Sequence, residues 1–119
     1  MDIEDIRQYC LLKENVTEGF PFGGDTLVFK VNEKLFLLTS LDAEEIRFNI
    51  KCIPEKAIEL REEYPENILP GFHMNKKHWN TIIPKNLKQN LIKEMIDDSY
   101  NLVSKKVTKA YQTNPGTTK

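Results

Sequence analysis

The side chains in this sequence that could do chemistry gather most densely in twelve consecutive residues, Pro70-Gly71-Phe72-His73-Met74-Asn75-Lys76-Lys77-His78-Trp79-Asn80-Thr81. Both histidines, the only tryptophan and an adjacent lysine pair lie there. If Asn75, Lys76 and Lys77 form the tip of a hairpin, two ammonium groups project where they can reach a phosphate backbone. Asn75 can then bond a phosphate or a base edge. Each phosphate neutralised releases condensed counterions, so such binding is strongly salt-dependent and mostly independent of base sequence. His73 and His78 add charge below about pH 6.5, and Lys85 and Lys88, at the start of the following helix, widen the patch. The competing reading is that lysines at a turn merely keep an exposed edge soluble and unpaired. Trp79 either stacks on a base or packs as core with its indole N–H bonded to a carbonyl, and the flanking Ile82 and Ile83 favour the anchor. Phe72 and Met74 alternate with His73, which turns them inward and leaves His73 near the surface.

Other chemistries lack their parts. Catalysis needs a nucleophile with a base, paired carboxylates or a metal. His73 or His78 could act as a base and Lys76 or Lys77 could hold an anion, but no serine, cysteine or aspartate sits where an orienting partner belongs. Two cysteines, Cys10 and Cys52, stand 42 residues apart with only two histidines for company, whereas a zinc site takes four ligands at close paired spacing. Both read as free buried thiols. Gly23-Gly24 lacks the lysine and the strand-loop-helix setting of a phosphate-cradling loop, so a turn is expected. No catalytic residue, metal or cofactor is therefore expected. A third class is protein interaction: the Phe20-Pro21-Phe22 arm offers apolar surface that could add to a partner's edge, or it folds back on its own core.

Length and charge narrow the setting. At 119 residues and 13.9 kDa, with 39% hydrophobic and 29% charged positions, the chain suits one domain, expected over residues 1–111. An apolar run such as Leu35 to Leu38 is far short of the roughly 20 residues that cross a bilayer. The start carries Asp2, Glu4 and Asp5, where a secretory signal needs positive charge and then an apolar stretch, so a cytoplasmic location is expected. Net charge is only -1, yet residues 1–71 hold 15 acidic against 8 basic side chains, and residues 72–119 hold 3 against 9. That polarity points toward an anionic partner, although a pI near 6.1 is below that of most nucleic-acid binders.

These residues must be positioned by a small set of elements. Asp2 can cap a helix to about Leu12, with Ile3, Ile6 and Cys10 on one face. Between Val16 and Asp25, glycines and Pro21 confine Phe20 and Phe22 to an edge strand or extended arm. Thr26 to Val31 and Lys34 to Leu41 read as a hairpin about Asn32-Glu33. Glu45 to Cys52 alternates as a half-buried strand. Pro54 opens a helix to about Tyr64. Phe72 to Met74 and His78 to Ile83 read as a second hairpin. Lys85 to Val107 carries a broad apolar helical stripe, and residues 112–119 read as a disordered tail. The expectation is an α+β domain, a single antiparallel sheet of about five strands with helices on one face, in the order α-β3-α-β2-α. The other face is either solvated or buried against a partner, including a second copy of the chain.

The twelve-residue segment, together with Phe20-Pro21-Phe22-Gly23, Asp25-Thr26-Leu27-Val28-Phe29-Lys30-Val31 and Ser99-Tyr100, closely resembles the MmcQ/YjbR family of small bacterial proteins. The resemblance runs from about Ile6 to Val107. It implies a fold similar to the type III secretion chaperones and a DNA-binding role through a double-wing shape, with the Asn75-Lys76-Lys77 hairpin as a wing. The chain departs from the family's pattern at Ile53, where Asp often precedes the proline of the second helix. Ile53 cannot accept a capping bond. The resulting expectation is a non-catalytic DNA-binding domain, monomeric or weakly dimeric, or alternatively a polypeptide-binding adaptor.

Overall fold

The computed structural model describes residues 1–105. The expected tail at 112–119, residues 106–111 of the expected domain and the helix end at Val107 lie outside the described residues. The elements run α1 (Ile3–Leu11), β1 (Val16–Gly19), β2 (Thr26–Val31), β3 (Lys34–Ser40), β4 (Phe48–Lys51), α2 (Pro54–Glu63), β5 (Ile68–Pro70), β6 (Trp79–Ile82) and α3 (Gln89–Ser104). The six strands form one antiparallel sheet in the order β1-β2-β3-β4-β6-β5.

Local chemistry accounts for most boundaries. Asp2 accepts from the Asp5 N–H while Asp5 accepts back from the Asp2 N–H, a reciprocal capping box that starts α1. Asn32 and Glu33 both take positive φ, 51° and 68°, the left-handed pair that a two-residue hairpin turn of matching twist requires. Pro54 occupies the first turn of α2, and Ile53 provides no side-chain cap.

Three strands differ from expectation. A sixth strand, β1, pairs with β2 over Val16–Gly19 and ends before Pro21, so it is the residues preceding the Phe20-Pro21-Phe22 arm that join the sheet. The element order is therefore α-β4-α-β2-α. In the second hairpin the first strand is Ile68–Pro70 rather than Phe72 to Met74. Pro70 is tolerated there because β5 is an edge strand, where a missing N–H leaves no central ladder open. Strand β4 is also shorter than expected, since Glu45 to Arg47 run as loop before Phe48.

The helices lie on one face. α3 packs across β2, β3 and β4, α1 against β1, and α2 against β5. The core joins Ile6 and Cys10 of α1, Phe29, Phe36, Phe48, Ile50 and Ile82 of the sheet, Ala57 and Leu60 of α2, and Ile92, Met95 and Ile96 of α3. Buried Ser99 of α3 reaches into the sheet: its hydroxyl donates to the Phe36 carbonyl at 2.6 Å and accepts from the Lys51 N–H at 2.9 Å. It bridges β3 and β4 where their paired register stops. Next to it, Tyr100 stacks edge-on to Phe36 at 5.5 Å and donates its hydroxyl to the Glu14 carbonyl.

Candidate functional site

The eight residues between β5 and β6, 71–78, form a braced connection. Gly71 is buried and donates its N–H to the Trp79 carbonyl at 2.9 Å. A Cβ on Gly71 would lie 2.8 Å from the Trp79 Cβ and 2.9 Å from its carbonyl oxygen, so this close approach of two backbones requires glycine. The Phe72 N–H donates to Thr81 Oγ1 at 2.9 Å. Beyond it the Asn75 carbonyl accepts from the His78 and Trp79 N–H groups at 3.2 and 3.0 Å, and Asn75 Oδ1 accepts from the Lys77 N–H at 2.9 Å. Asn75 thereby closes an Asx turn about the lysine pair. From α2, Arg61 donates to Asn80 Oδ1 at 2.8 Å and to the Lys76 carbonyl. The His78 carbonyl accepts from the Cys52 N–H at 2.8 Å, which fastens the connection to the end of β4.

Lys76 and Lys77 are both exposed on this turn. Lys76 Nζ reaches only the Gly71 carbonyl, at 3.4 Å. Among the described residues neither lysine is paired with a carboxylate. Asn75 spends its oxygen on the turn, which leaves its amide N–H groups as the outward donors. His73 is exposed and His78 half-buried. Lys85 and Lys88 do not join this group, because they follow β6 and sit at its other end. There the Lys85 carbonyl accepts from Asn67, and Lys88 is the N-cap residue of α3.

Two expectations about the aromatic residues are corrected. Phe72 is 62% exposed, since the segment is a turn and the alternation of a strand does not apply to it. Trp79 is half-buried and stands outside the hydrophobic core. Register places Asn80 and Ile82 opposite Ile50 and Phe48 on the helix-covered face, so Trp79 and Thr81 point to the open one. The Trp79 indole N–H has no hydrogen-bond partner among the described residues.

What sequence reasoning missed is the make-up of that open face. Register aligns Lys30, Leu38, Asn49, Lys51, Trp79 and Thr81 on it, and no open-face position of the six strands is Asp or Glu. A cleft of about 490 Å³ opens on the same face, floored by Leu38, Asn49 and Thr81 and bordered by Phe22, Arg47 and Phe72. Phe22, 69% exposed, comes from the arm, and Phe72 from the braced connection. His73 and Met74 also line it. The His73 ring lies 4.0 Å from that of Phe72, and its backbone holds φ 61°, a left-handed conformation that few residues other than Gly adopt and that Asn, Asp and His adopt most readily. On the floor, the Thr81 hydroxyl accepts from the Phe72 N–H and so donates to Asn49 Oδ1. The Asn49 amide N–H groups have no partner among the described residues. The arm and the twelve-residue segment, about fifty residues apart in sequence, thus border one cleft.

Both thiols are buried and shielded. Burial pushes Cys10 up to about 12 and also raises Cys52. Among the described residues no cluster of His, Cys, Asp and Glu could hold a metal ion, and no helix is long and apolar enough to cross a membrane.

A model of the YjbR family matches residues 11–102. The chain is 41% identical over 86 residues to the protein YbdF of Escherichia coli O157:H7, covering 71% of this chain and 69% of that one. It is 28% identical over 101 residues to the protein YjbR of Escherichia coli strain K12, covering 84% and 85%. The crystal structure of the Deinococcus radiodurans protein DR2400, which carries the DUF419 domain, superposes with a TM-score of 0.85 at 38% identity, over 91% of this chain and 83% of that one.

Proposed function

The chain belongs to the YjbR family, and on that footing we propose that it is a non-catalytic domain that binds DNA through the 71–78 connection. Lys76 and Lys77 contact phosphates, with Asn75, His73 and His78 beside them, and the connection serves as a wing. The observation that carries this reading is the braced turn: two exposed lysines without carboxylate partners, on a backbone already held by Asn75 and Arg61. A fixed backbone spares part of the ordering cost of binding, and unpaired ammonium groups exchange small counterions for phosphates at little desolvation cost.

Fluorescence anisotropy with a labelled duplex over a series of salt concentrations tests it. Replacing Lys76 and Lys77 together by Ala should weaken binding uniformly across sequences and reduce the salt slope by about two. Absence of binding by the intact protein at low salt overturns the reading. A second reading, a polypeptide-binding adaptor, is favoured by the exposure of Phe20 and Phe22. It predicts that Phe22→Ala releases a bound extended peptide, and capture insensitive to that change removes it.

A further inference from the structure

The cleft between Phe22 and Phe72 is not explained by contacts to phosphates alone. Two large aromatic rings stand mostly in solvent at its rim, and His73, at positive φ, lies against one of them. Exposed aromatic rings gathered at one rim mark a binding surface, and non-glycine residues at positive φ cluster at ligand sites. The cleft has the volume of a small-molecule site. None of its lining residues is a carboxylate; Arg47, which pairs with Glu45 at 3.6 Å from outside the lining, and His73 supply donor groups, and Asn49 offers unused amide N–H groups. Such a cavity fits a flat ring rich in hydrogen-bond acceptors and attached to negative charge.

We infer that this cleft receives an unstacked base of a single-stranded nucleic acid, or a free nucleotide of the same chemistry. The base lies against Phe72 and Phe22 and offers its carbonyl oxygens to Asn49, and its phosphate faces Arg47. In the strand form the inference rests on the phosphate-contact reading above, because Lys76 and Lys77 stand on the same connection as Phe72 and can track the backbone from which the base is splayed. An uncovered sheet face with aromatic residues and cations is one of the general solutions for stacking bases of single strands. In a duplex the bases are already stacked and paired, so the cleft selects single strands over duplex.

The test compares three probes on the full chain: a fluorescein-labelled ten-residue oligothymidylate, a labelled duplex of mixed sequence, and thymidine 5′-monophosphate followed by NMR shifts. Phe72→Ala and Phe22→Ala change exposed rings, and their melting temperatures serve as the folding control. Each should weaken binding of the single strand by about 5- to 150-fold, the range of one stacked base, and leave duplex binding and its salt slope unchanged. If single-strand affinity is unaffected by both changes while Lys76→Ala/Lys77→Ala still weakens it, the cleft assignment falls and the phosphate reading stands. If neither DNA form binds, the phosphate reading falls. Monophosphate shifts at the Asn49 side-chain amide and at Phe72 then uphold the cleft as a free-nucleotide site, and their absence overturns it.

Discussion

Ser99 illustrates how much one hydroxyl can decide. It is fully buried and satisfies two main-chain groups, the Phe36 carbonyl and the Lys51 N–H. Ser99→Ala leaves both without a partner in the core and should cost about 1–3 kcal/mol, read as a fall in melting temperature of about 4–8 °C per kcal/mol. An unchanged melting curve would show that water or a backbone shift replaces the bridge. The thiols give a second prediction. With Cys10 raised to about 12 and Cys52 also raised by burial, neither forms appreciable thiolate at pH 8, so a disulfide reagent should label the native protein slowly and both cysteines at once in denaturant. Rapid labelling before unfolding would contradict the burial. At this scale the sequence was informative about type and silent about direction. The lysine pair, the histidines and Asn75 were legible as one group because they fall within six residues. The outward Phe72 was not, because its direction depends on the turn that Asn75 and Arg61 impose. The bracing role of Arg61 itself was invisible, since Arg61 and Lys76 meet only through the packing of α2.

Elements with a clear period were the legible ones. α1, α2, α3, the β2–β3 hairpin and the centre of β4 carry their own apolar spacing or turn chemistry. β1 is short and ends in glycine, and β5 ends in proline, so pairing with a neighbour decides both more than propensity does. The ties between elements are polar as well as apolar. Lys56 of α2 donates to Asp98 at 2.8 Å and to Glu94 at 3.2 Å on α3, and the Asp98 bond chiefly raises its proton affinity above the ordinary 10.5. A folded value above the unfolded one means that this contribution is fully present below about pH 10.5 and is lost as pH rises through the folded value. At the other end, the hydrogen bond from Arg7 holds Glu18 below the usual 4.5. That contribution is present above the usual carboxylate range and is lost as pH falls through the depressed value. Lys56→Met should therefore flatten the alkaline limb of melting temperature against pH, and Glu18→Gln the acid limb. Each effect should be about 0.2–1 kcal/mol, as for partly exposed pairs. A limb that keeps its slope in the matching variant would assign the dependence to other groups.

For the whole molecule, folding redistributes the charge polarity seen along the chain. The three acidic residues after position 71, Glu94, Asp97 and Asp98, all lie on α3, and all pair with lysines from the first half, Lys13 and Lys56. The carboxylates of α3 thus lie on the helix side, while Glu45 pairs with Arg47 beside the cleft, and Lys30 and Lys51 on the open face and Lys76 and Lys77 on the 71–78 connection have no carboxylate partner among the described residues. No count along the sequence shows this, because it follows from which face each strand turns outward. The same topology predicts how the molecule unfolds. β6 pairs with β4 as well as β5, and α3 lies across β2, β3 and β4, so the hairpin that carries the site has no core of its own and depends on strands and a helix from both sequence halves. A single cooperative transition is expected. Trp79, the only tryptophan, stands at the start of β6 beside the braced connection, and its fluorescence reports the site, whereas far-UV circular dichroism reports mainly the helices. The two should give coincident melting curves. If the fluorescence transition came several degrees earlier, the connection would be loosening before the sheet, and Lys76 and Lys77 would not stand on a turn that is fixed ahead of binding.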